Sequence, residues 1–421
     1  MTLVFLYSRE NRYSFNALAG SLESDPFCDR VDLLFPATEE QVTSCVDDSL
    51  RACKRTLVGI SLATQQLWDT QKIVSSLRSK FGAQVILIAG GPHPTADPEG
   101  TLRLGFDVCV QGEGEETLRD LLKAIAEGRE LGSVKGIAIL EAGKCQRTGS
   151  RDPINLDAYP PFGVKHGRFG PIEITRGCPY VCAYCQTAHI FGAVPRHRSI
   201  ETILKYVRTM RDRNLKDVRV ITPNAFSYGS LDGRHINLPA LERLLREIRN
   251  VIGSEGRIFF GSFPSEVRPE HVTDQTVTLV TEYANNDNLI LGAQSGSQRV
   301  LDLCNRGHTV SDVFNAVSTI LEHGLKPNVD FIFGLPGETD EDAESTVAAM
   351  TELAMMGARI HAHTFMPLPQ TKFARERPLG ISKRTLAVLR KLVSKGVVYG
   401  DWLEQEKEAR RIARYTHTGR L

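Results

Sequence analysis

The chain has 421 residues, of which 41% are hydrophobic and 24% are charged, a balance typical of globular proteins. Its length suits two or three domains. Lys and Arg number 51 against 50 Asp and Glu, which leaves a formal net charge of +1. This charge provides no overall attraction to nucleic acid or to an anionic membrane, and we expect neither as a partner.

The N-terminus, MTLVFLYSRE, contains a short apolar run without a basic region before it, so it predicts a first strand and not a signal peptide. No stretch approaches the roughly 18 apolar residues of a membrane span. The nine cysteines are odd in number and scattered outside one group, which argues against a secreted disulfide framework. We therefore expect a cytoplasmic protein.

Residues 1–140 alternate short apolar runs with amphipathic stretches, a pattern that predicts a mostly parallel, doubly wound α/β domain. The predicted strands are LVFLY, VDLLF, TLVGISL, QVILIAGG, FDVCVQG and GIAILE. Glycines follow two of them, in IAGG and VQGEGEE, at the edge where such folds bind ligands. Tight turns that need a positive φ would also explain these glycines.

Residues 141–171 are rich in proline and glycine and predict a linker. Six further strand–helix units follow in residues 172–375 and predict a partial (βα)6 barrel that resembles a TIM barrel, with its active site at the carboxyl ends of the strands. The predicted strands are IEIT, DVRVIT, RIFFGS, NLILGA, NVDFIFG and RIHAHTF. Residues 376–421 predict a helical C-terminal extension.

Three cysteines, Cys178, Cys182 and Cys185, follow the first predicted strand of the barrel with the spacing C-x3-C-x2-C. A structural zinc site needs four ligands, and a thioredoxin-like site would leave Cys178 unexplained. Three cysteines can instead hold a [4Fe–4S] cluster with one iron open to another ligand. The spacing therefore favours an iron–sulfur cluster over zinc or a redox disulfide.

The segment CPYVCAYC, after the first strand of a six-unit barrel, resembles the radical S-adenosylmethionine (SAM) superfamily. The resemblance implies that the three cysteines bind three irons, that SAM chelates the fourth, and that Tyr184 lies beside the adenine. One electron from the cluster would cleave SAM to a 5′-deoxyadenosyl radical.

The resemblance extends to the ends of the later strands, where it implies further SAM contacts. The residues concerned are Thr222, Asn224, Ser262, Glu266, Arg268, Gln294, Ser295, Phe331 and Gly334. Arg268 would pair with the SAM carboxylate, although an ion pair with Glu266 is the alternative. Thr222-Pro223-Asn224 replaces the usual Gly-Gly-Glu, and Gln294 stands where relatives often carry Glu.

The N-terminal domain and linker resemble the cobalamin (B12)-binding subgroup of this superfamily, which includes the class B methyltransferases. The implied cobalamin contacts are Ser61, Leu62, Gly90, Gly91, His93, Gly112 and Glu113. The loop after the first strand lacks the D-x-H-x-x-G motif, which supplies a histidine to cobalt in many B12 proteins. His93 lies in a different loop, and we expect that it does not bind cobalt. A domain that serves only as a structural cap is the alternative.

We therefore interpret the chain as a cobalamin-dependent radical SAM methyltransferase that acts on an unactivated carbon. Its expected partners are a small-molecule or peptide substrate and an electron donor such as ferredoxin or flavodoxin. His361 and His363, in the last predicted strand, are candidate proton acceptors or substrate contacts. The alternatives are a corrin-free radical SAM enzyme, for rearrangement, cyclisation or sulfur insertion, and an iron–sulfur sensor that binds SAM without turnover.

Overall fold

The structure is a computed structural model that describes residues 1–419. The chain forms two compact units, one comprising residues 1–170 and the second beginning at Pro171. No helix within residues 1–419 is long and apolar enough to cross a membrane.

The first unit is a seven-stranded sheet with helices between its strands. Its strands are β1 Thr2–Phe5, β2 Asp32–Leu34, β3 Thr56–Ser61, β4 Val85–Gly90, β5 Val108–Val110, β6 Ile137–Glu141 and β7 Lys144–Arg147. Its helices are α1 Arg12–Glu23, α2 Glu39–Arg51, α3 Leu67–Phe81, α4 Pro92–Ala96, α5 Pro98–Arg103 and α6 Gly114–Glu127. The strand order is β2-β1-β3-β4-β5-β6-β7.

The first five strands are parallel, which confirms the predicted doubly wound sheet. Every residue of β3 is buried, as expected for a parallel strand covered on both faces. The predicted strand GIAILE forms β6, but it runs antiparallel to β5 and pairs with β7. Ala142 and Gly143 both have positive φ, so a two-residue hairpin turn replaces a crossover helix here.

The second unit contains a curved wall of parallel strands. Its strands are β8 Ile172–Glu173, β9 Thr175–Arg176, β10 Arg196–His197, β11 Asp217–Ile221, β12 Arg257–Phe259, β13 Asn288–Gln294, β14 Lys326–Phe333, β15 Arg359–Thr364 and β16 Val398–Tyr399. Its helices are α7 Thr187–Phe191, α8 Ile200–Asp212, α9 Leu238–Ile252, α10 Asp274–Tyr283, α11 Gln298–Leu303, α12 Val310–Glu322, α13 Asp340–Met356, α14 Lys383–Ser394 and α15 Trp402–Thr418.

The parallel strands follow one another as β8-β11-β12 and then β13-β14-β15-β16. A parallel bridge between Val267 and Leu291 joins the two sets. The six strands predicted for a partial barrel are present, and β16 is a short seventh that the sequence did not predict. The antiparallel pair β9–β10 lies on either side of the cysteine segment.

The residues of β14 and β15 alternate between buried and partly exposed. Val329, Phe331 and Phe333 are buried on one face of β14, while Asp330 and Ile332 on the other face are only partly buried. Because helices pack on the outside of such a wall, the partly exposed face lines its interior. Polar residues on this face are therefore placed where a barrel holds its ligands.

Candidate functional site

The three cysteines lie in the loop between β9 and α7. All three are free thiols, with Cys182 buried and Cys178 and Cys185 partly buried. Gly177 precedes them with a φ of +94°, and a Cβ at this position would lie 2.4 Å from the carbonyl oxygen of Val194. Only glycine fits here, so the start of the loop is fixed by the backbone.

Among the described residues, the three thiols are not gathered as closely as the ligands of a single ion would be. Within residues 1–419, one set of three candidate ligand atoms lies within 4.8 Å of one another, and it is formed by side chains of β14 and β15, not by the cysteines. Ligands of a single ion must approach one another closely, whereas each cysteine of a [4Fe–4S] cluster binds a separate iron. The donor set therefore fits such a cluster.

Arg306 places a buried positive charge beside the cysteines. Its guanidinium donates to Cys182 Sγ at 3.8 Å and to the carbonyl oxygen of Gly292 at 2.8 Å. A Cβ on Gly292 would lie 2.4 Å from Arg306 Nη2, so the glycine makes room for the guanidinium. A buried cation at this distance stabilises negative charge on the sulfur.

Two of the thiols, those of Cys178 and Cys185, are less acidic than free cysteine. Burial raises the pKa of Cys178 and of Cys185, although hydrogen bonding with Thr187 opposes the rise at Cys185. Cysteine binds metal as the thiolate. Metal binding here must therefore be coupled to proton release, as it is at other thiolate sites.

Tyr184 presents a hydroxyl group without a partner. Its ring packs against the apolar cluster that contains Ala183 and Leu335. Burial raises the pKa of Tyr184, and among the described residues its buried Oη has no hydrogen-bond partner. Since buried polar atoms are nearly always bonded, this hydroxyl is suited to contact a polar ligand.

Ser262 and Glu266 follow β12 and add two further polar groups. Ser262 Oγ is buried and has no hydrogen-bond partner within residues 1–419. Burial raises the pKa of Glu266, and Arg306 opposes this rise. Tyr184 Oη, Ser262 Oγ and Arg306 Nε are thus three buried polar atoms without a partner among the described residues, and a polar ligand could satisfy each of them.

Arg268 is buried beneath the cysteine loop. Its guanidinium lies 3.4 Å from the centre of the Tyr180 ring and donates to Glu270 at 2.5 Å and to the carbonyl oxygen of Arg306. The structure thus brings Arg268 to the loop, but its ion-pair partner is Glu270 and not Glu266. Its predicted contact with the SAM carboxylate stays a prediction.

Thr222 and Asn224 connect the ends of β11 and β12. Thr222 Oγ1 donates to the carbonyl oxygen of Asn224 at 3.1 Å. The Asn224 side chain accepts from the Arg268 N–H at 3.2 Å and lies 2.7 Å from His271 Nδ1. Both side chains are buried, and these bonds hold the segment that replaces Gly-Gly-Glu.

Gln294 is the last residue of β13 and Ser295 follows it, and their side chains make different contacts. Gln294 has a φ of +72°, a strained conformation for a residue other than glycine. Its amide nitrogen lies over Gly292, 2.5 Å from where a Cβ would stand. Ser295 Oγ instead lies 3.2 Å from Thr346 Oγ1 in α13, so Ser295 fastens a helix while Gln294 stays near Arg306.

Phe331 and Gly334 belong to β14 and the turn after it. Phe331 is buried on the face away from the interior. The Gly334 N–H donates to Glu338 Oε2 at 2.7 Å, and a Cβ on Gly334 would lie 2.2 Å from the carbonyl oxygen of Leu379. A cavity of about 210 Å³ lies beside this turn. Side-chain contact between Phe331 and a ligand is not favoured, whereas its backbone remains available.

In the first unit, the predicted cobalamin loops follow β3 and β4. Ser61 pairs in register with Gly90, and the Leu62 N–H donates to the Gly90 carbonyl at 3.0 Å. Gly91 has a φ of +100°, and a Cβ there would lie 2.9 Å from Ser61 Oγ. Within residues 1–419, no heavy atom beyond the two chain neighbours lies within 4 Å of the Cβ position of Gly90. This gap lets a ligand approach the backbone, as cobalamin would need.

The remaining predicted cobalamin contacts are a buried histidine and two partly buried residues. His93 is fully buried, lies 3.1 Å from Thr64 Oγ1, and has its pKa lowered to about 4 by burial. Gly112 has a φ of +67°, and Glu113 Oε2 accepts from the Ile154 N–H at 2.8 Å. His93 therefore remains neutral and packed, and the expectation that it does not bind cobalt stays a prediction.

His361 and His363 lie on the interior face of β15 and contact Asp330 of β14. The sequence alone does not single out Asp330, Arg306 or Tyr180. The signal for Asp330 was its place in the alternating strand VDFIF. Nothing in the sequence indicates that Arg306 turns back to Cys182.

Comparison with known proteins agrees with this geometry. Residues 172–350 match the model of the radical SAM superfamily, and residues 9–122 match the model of the B12 binding domain. An uncharacterized methyltransferase of Pyrococcus horikoshii is 27% identical over 333 residues, which are 75% of this chain and 68% of that protein. A tRNA-2-methylthio-N(6)-dimethylallyladenosine synthase of Geobacter sulfurreducens is 30% identical over 52% of this chain and 47% of its own.

Two solved structures share the fold. The radical SAM methyltransferase TsrM of Kitasatospora setae, with cobalamin and a [4Fe–4S] cluster bound, matches with a TM-score of 0.68 at 18% identity over 90% of this chain and 75% of its own. The cobalamin-dependent SAM radical enzyme OxsB matches with a TM-score of 0.66 at 17% identity over 99% and 61%.

Proposed function

Because the chain belongs to the radical SAM superfamily and carries a B12-binding domain before its radical SAM domain, we propose that this enzyme is a cobalamin-dependent methyltransferase acting on an unactivated carbon. The observation that carries the proposal is the loop of three free cysteines on a partial barrel, in one chain with the doubly wound sheet. The relative from Pyrococcus horikoshii is named a methyltransferase, and TsrM, which shares the fold, is a radical SAM methyltransferase. Both names support the proposed reaction.

Cys178, Cys182 and Cys185 would hold the [4Fe–4S] cluster. When bound, the cluster supplies the electron that cleaves SAM. Arg306 holds positive charge beside Cys182, and Gly292 leaves it the space to do so. The unbonded oxygens of Tyr184 and Ser262 are available to bind and orient SAM. Gln294, beside Arg306, is placed to add a further polar contact.

The remaining predicted SAM residues have supporting roles in this proposal. Thr222, Asn224 and Arg268 hold the ends of β11 and β12 against the cysteine loop. Ser295 fastens α13, and Gly334 shapes the turn after β14. These residues fix the positions of the groups that touch the ligand.

The loops after β3, β4 and β5 would hold cobalamin, whose role is to supply the methyl group. Ser61, Leu62, Gly90 and Gly91 form the part where the backbone can be approached. Residues 1–140 would form the main part of this domain and 172–375 the barrel, with 376–421 as the extension. The linker of 141–171 would begin with β7, which still pairs in the first sheet. We place the enzyme in the cytoplasm, with a small-molecule or peptide substrate and ferredoxin or flavodoxin as electron donor.

The test is anaerobic purification with iron, sulfide and cobalamin supplied, followed by metal analysis and assay of SAM cleavage. We expect about four irons per chain, bound cobalamin, and 5′-deoxyadenosine after reduction. Cys182→Ala should remove the iron and the cleavage activity, while Cys53→Ala, at an exposed thiol, should keep both. Four irons and SAM cleavage without any cobalamin binding would overturn methyl transfer and leave the radical SAM core standing.

A further inference from the structure

Three metal-ligating side chains converge on the interior face of β14 and β15, apart from the cysteine loop. Asp330 and His361 are paired residues of the two strands, and His361 Nδ1 lies 3.3 Å from Asp330 Oδ1. His363 follows on the same face of β15, and its ring centre is 3.9 Å from that of His361. One ligand atom from each residue lies within 4.8 Å of those of the other two.

Neighbouring residues fix the two imidazole rings. The His361 ring stacks on Tyr399 of β16, with centres 4.5 Å apart and an angle of 7° between planes. Gln405 of α15 accepts from the Thr364 N–H at 2.8 Å, and its amide nitrogen lies 3.3 Å from His363 Nδ1. Little side-chain entropy remains to be lost when a ligand binds here.

We propose that Asp330, His361 and His363 form a binding site for a divalent transition-metal cation. Two imidazoles and one carboxylate suit Zn²⁺, Fe²⁺ or Co²⁺ better than Mg²⁺ or Ca²⁺, which prefer oxygen ligands. Three protein ligands also leave coordination positions open. An oxygen or nitrogen atom of the substrate can occupy such a position and so be anchored in the barrel interior.

A simple Asp–His ion pair accounts for less of this geometry. The pair would need only Asp330 and His361, whereas a ligand atom of His363 also lies within 4.8 Å of both and this ring is held by Gln405. Two adjacent imidazoles repel each other when both are protonated, but both can bind one cation. The side chains of His361 and Asp330 are 30% and 18% exposed, so an ion can reach them.

The contact of Gln405 with His363 bears on which nitrogen of that imidazole carries the proton. Its amide oxygen is occupied by the Thr364 N–H, so its amide N–H faces His363 Nδ1 and favours the proton on Nε2. A metal on Nε2 needs the proton on Nδ1, where a carboxylate would accept it. Gln405→Glu, a change at a positioning residue, should therefore tighten metal binding.

The test is calorimetric titration of Co²⁺ into the full-length protein with its cluster assembled and its added metals removed by dialysis. We expect one saturable site per chain. Affinity should fall at least about tenfold in Asp330→Asn, vanish in His361→Ala, and rise about tenfold in Gln405→Glu. His323→Ala is the matched control, because His323 is a partly exposed histidine on α12's end outside the cluster, and it should leave binding unchanged.

Absence of a saturable site, or equal affinity in the wild type and Asp330→Asn, would overturn the proposal. Asp330→Asn keeps the shape of the side chain and decides the matter if His361→Ala does not fold, which circular dichroism will reveal. The measurement uses Co²⁺ alone without SAM, cobalamin or substrate. Its failure is therefore distinguishable from failure of the methyltransferase proposal, and its success does not depend on that proposal.

Discussion

Arg306 makes a buried contact with Cys182 that the residues around it in the sequence do not predict. In the sequence it stands in LCNRGHT, after a helix, where a basic residue is usually solvated. In the fold its guanidinium is buried between Cys182 and the backbone of Gly292. Burying a cation is costly, so its presence beside Cys182, with the buried Glu266 carboxyl as a charged neighbour, indicates a site built to hold negative charge on the sulfur. An iron–sulfur cluster ligated by thiolates supplies that charge.

Glu338, in the turn after β14, makes stability depend on pH. Burial raises its pKa to about 7, although the Gly334 N–H opposes the rise. A carboxyl whose folded pKa lies above its unfolded value destabilises the folded state as pH rises from about 4.5 to 7. Glu338→Gln removes this loss of stability. In urea unfolding, the free energy of unfolding of the variant relative to that of the wild type should therefore rise by about 2 kcal/mol from pH 5 to pH 8.

The matched control for that experiment is Glu341→Gln, an exposed side chain in the first turn of α13. Its difference from the wild type should not change between the two pH values. A Glu338→Gln effect that is equally flat would show that Glu338 ionises as an ordinary surface carboxyl does.

At the scale of elements, α13 is tied to the end of β13 through Asp342. This carboxylate accepts from Ser297 Oγ at 2.5 Å, from the Thr339 N–H at 2.8 Å, and from Arg299. Burial alone would raise the pKa of Asp342, but these hydrogen bonds outweigh it and lower the pKa. One side chain thus caps a helix and holds the loop that follows Gln294.

Asp342→Asn should lower the free energy of unfolding at pH 7 by about 1–3 kcal/mol, because it removes the charge and one acceptor oxygen from this cap. Since the folded pKa is depressed, the contribution is complete above the unfolded pKa near 4 and is lost as pH falls below it. Urea unfolding at pH 7 measures the effect. Asp340→Asn, at an exposed residue in the same turn, is the control, and an equal loss there would contradict the role of Asp342.

Elements that depend on local pattern could be predicted, and those that depend on strand register could not. The six barrel strands follow from alternating apolar residues, and the cysteine loop follows from its spacing. The two residues of β16 are too few to show a period. The contact of Asp330 with His361 depends on how two strands align, and the hairpin β6–β7 depends on two residues with positive φ. Such features are fixed by packing that becomes visible only in the fold.

At the scale of the whole molecule, the two proposed metal-containing cofactors, the iron–sulfur cluster and cobalamin, are assigned to separate compact units, so each should be removable alone. Gly90 has open space at its Cβ position and an ordinary φ, so Gly90→Val places a side chain where cobalamin would approach. This clash should weaken cobalamin binding at least about tenfold, equivalent to at least about 1.4 kcal/mol, while the iron content stays unchanged. Cys182→Ala should do the reverse. Gly132→Val, at another uncrowded glycine of the first unit, should retain both cofactors. If either Gly90→Val or Cys182→Ala removed iron and cobalamin together from a folded protein, the two sites would have to be treated as one.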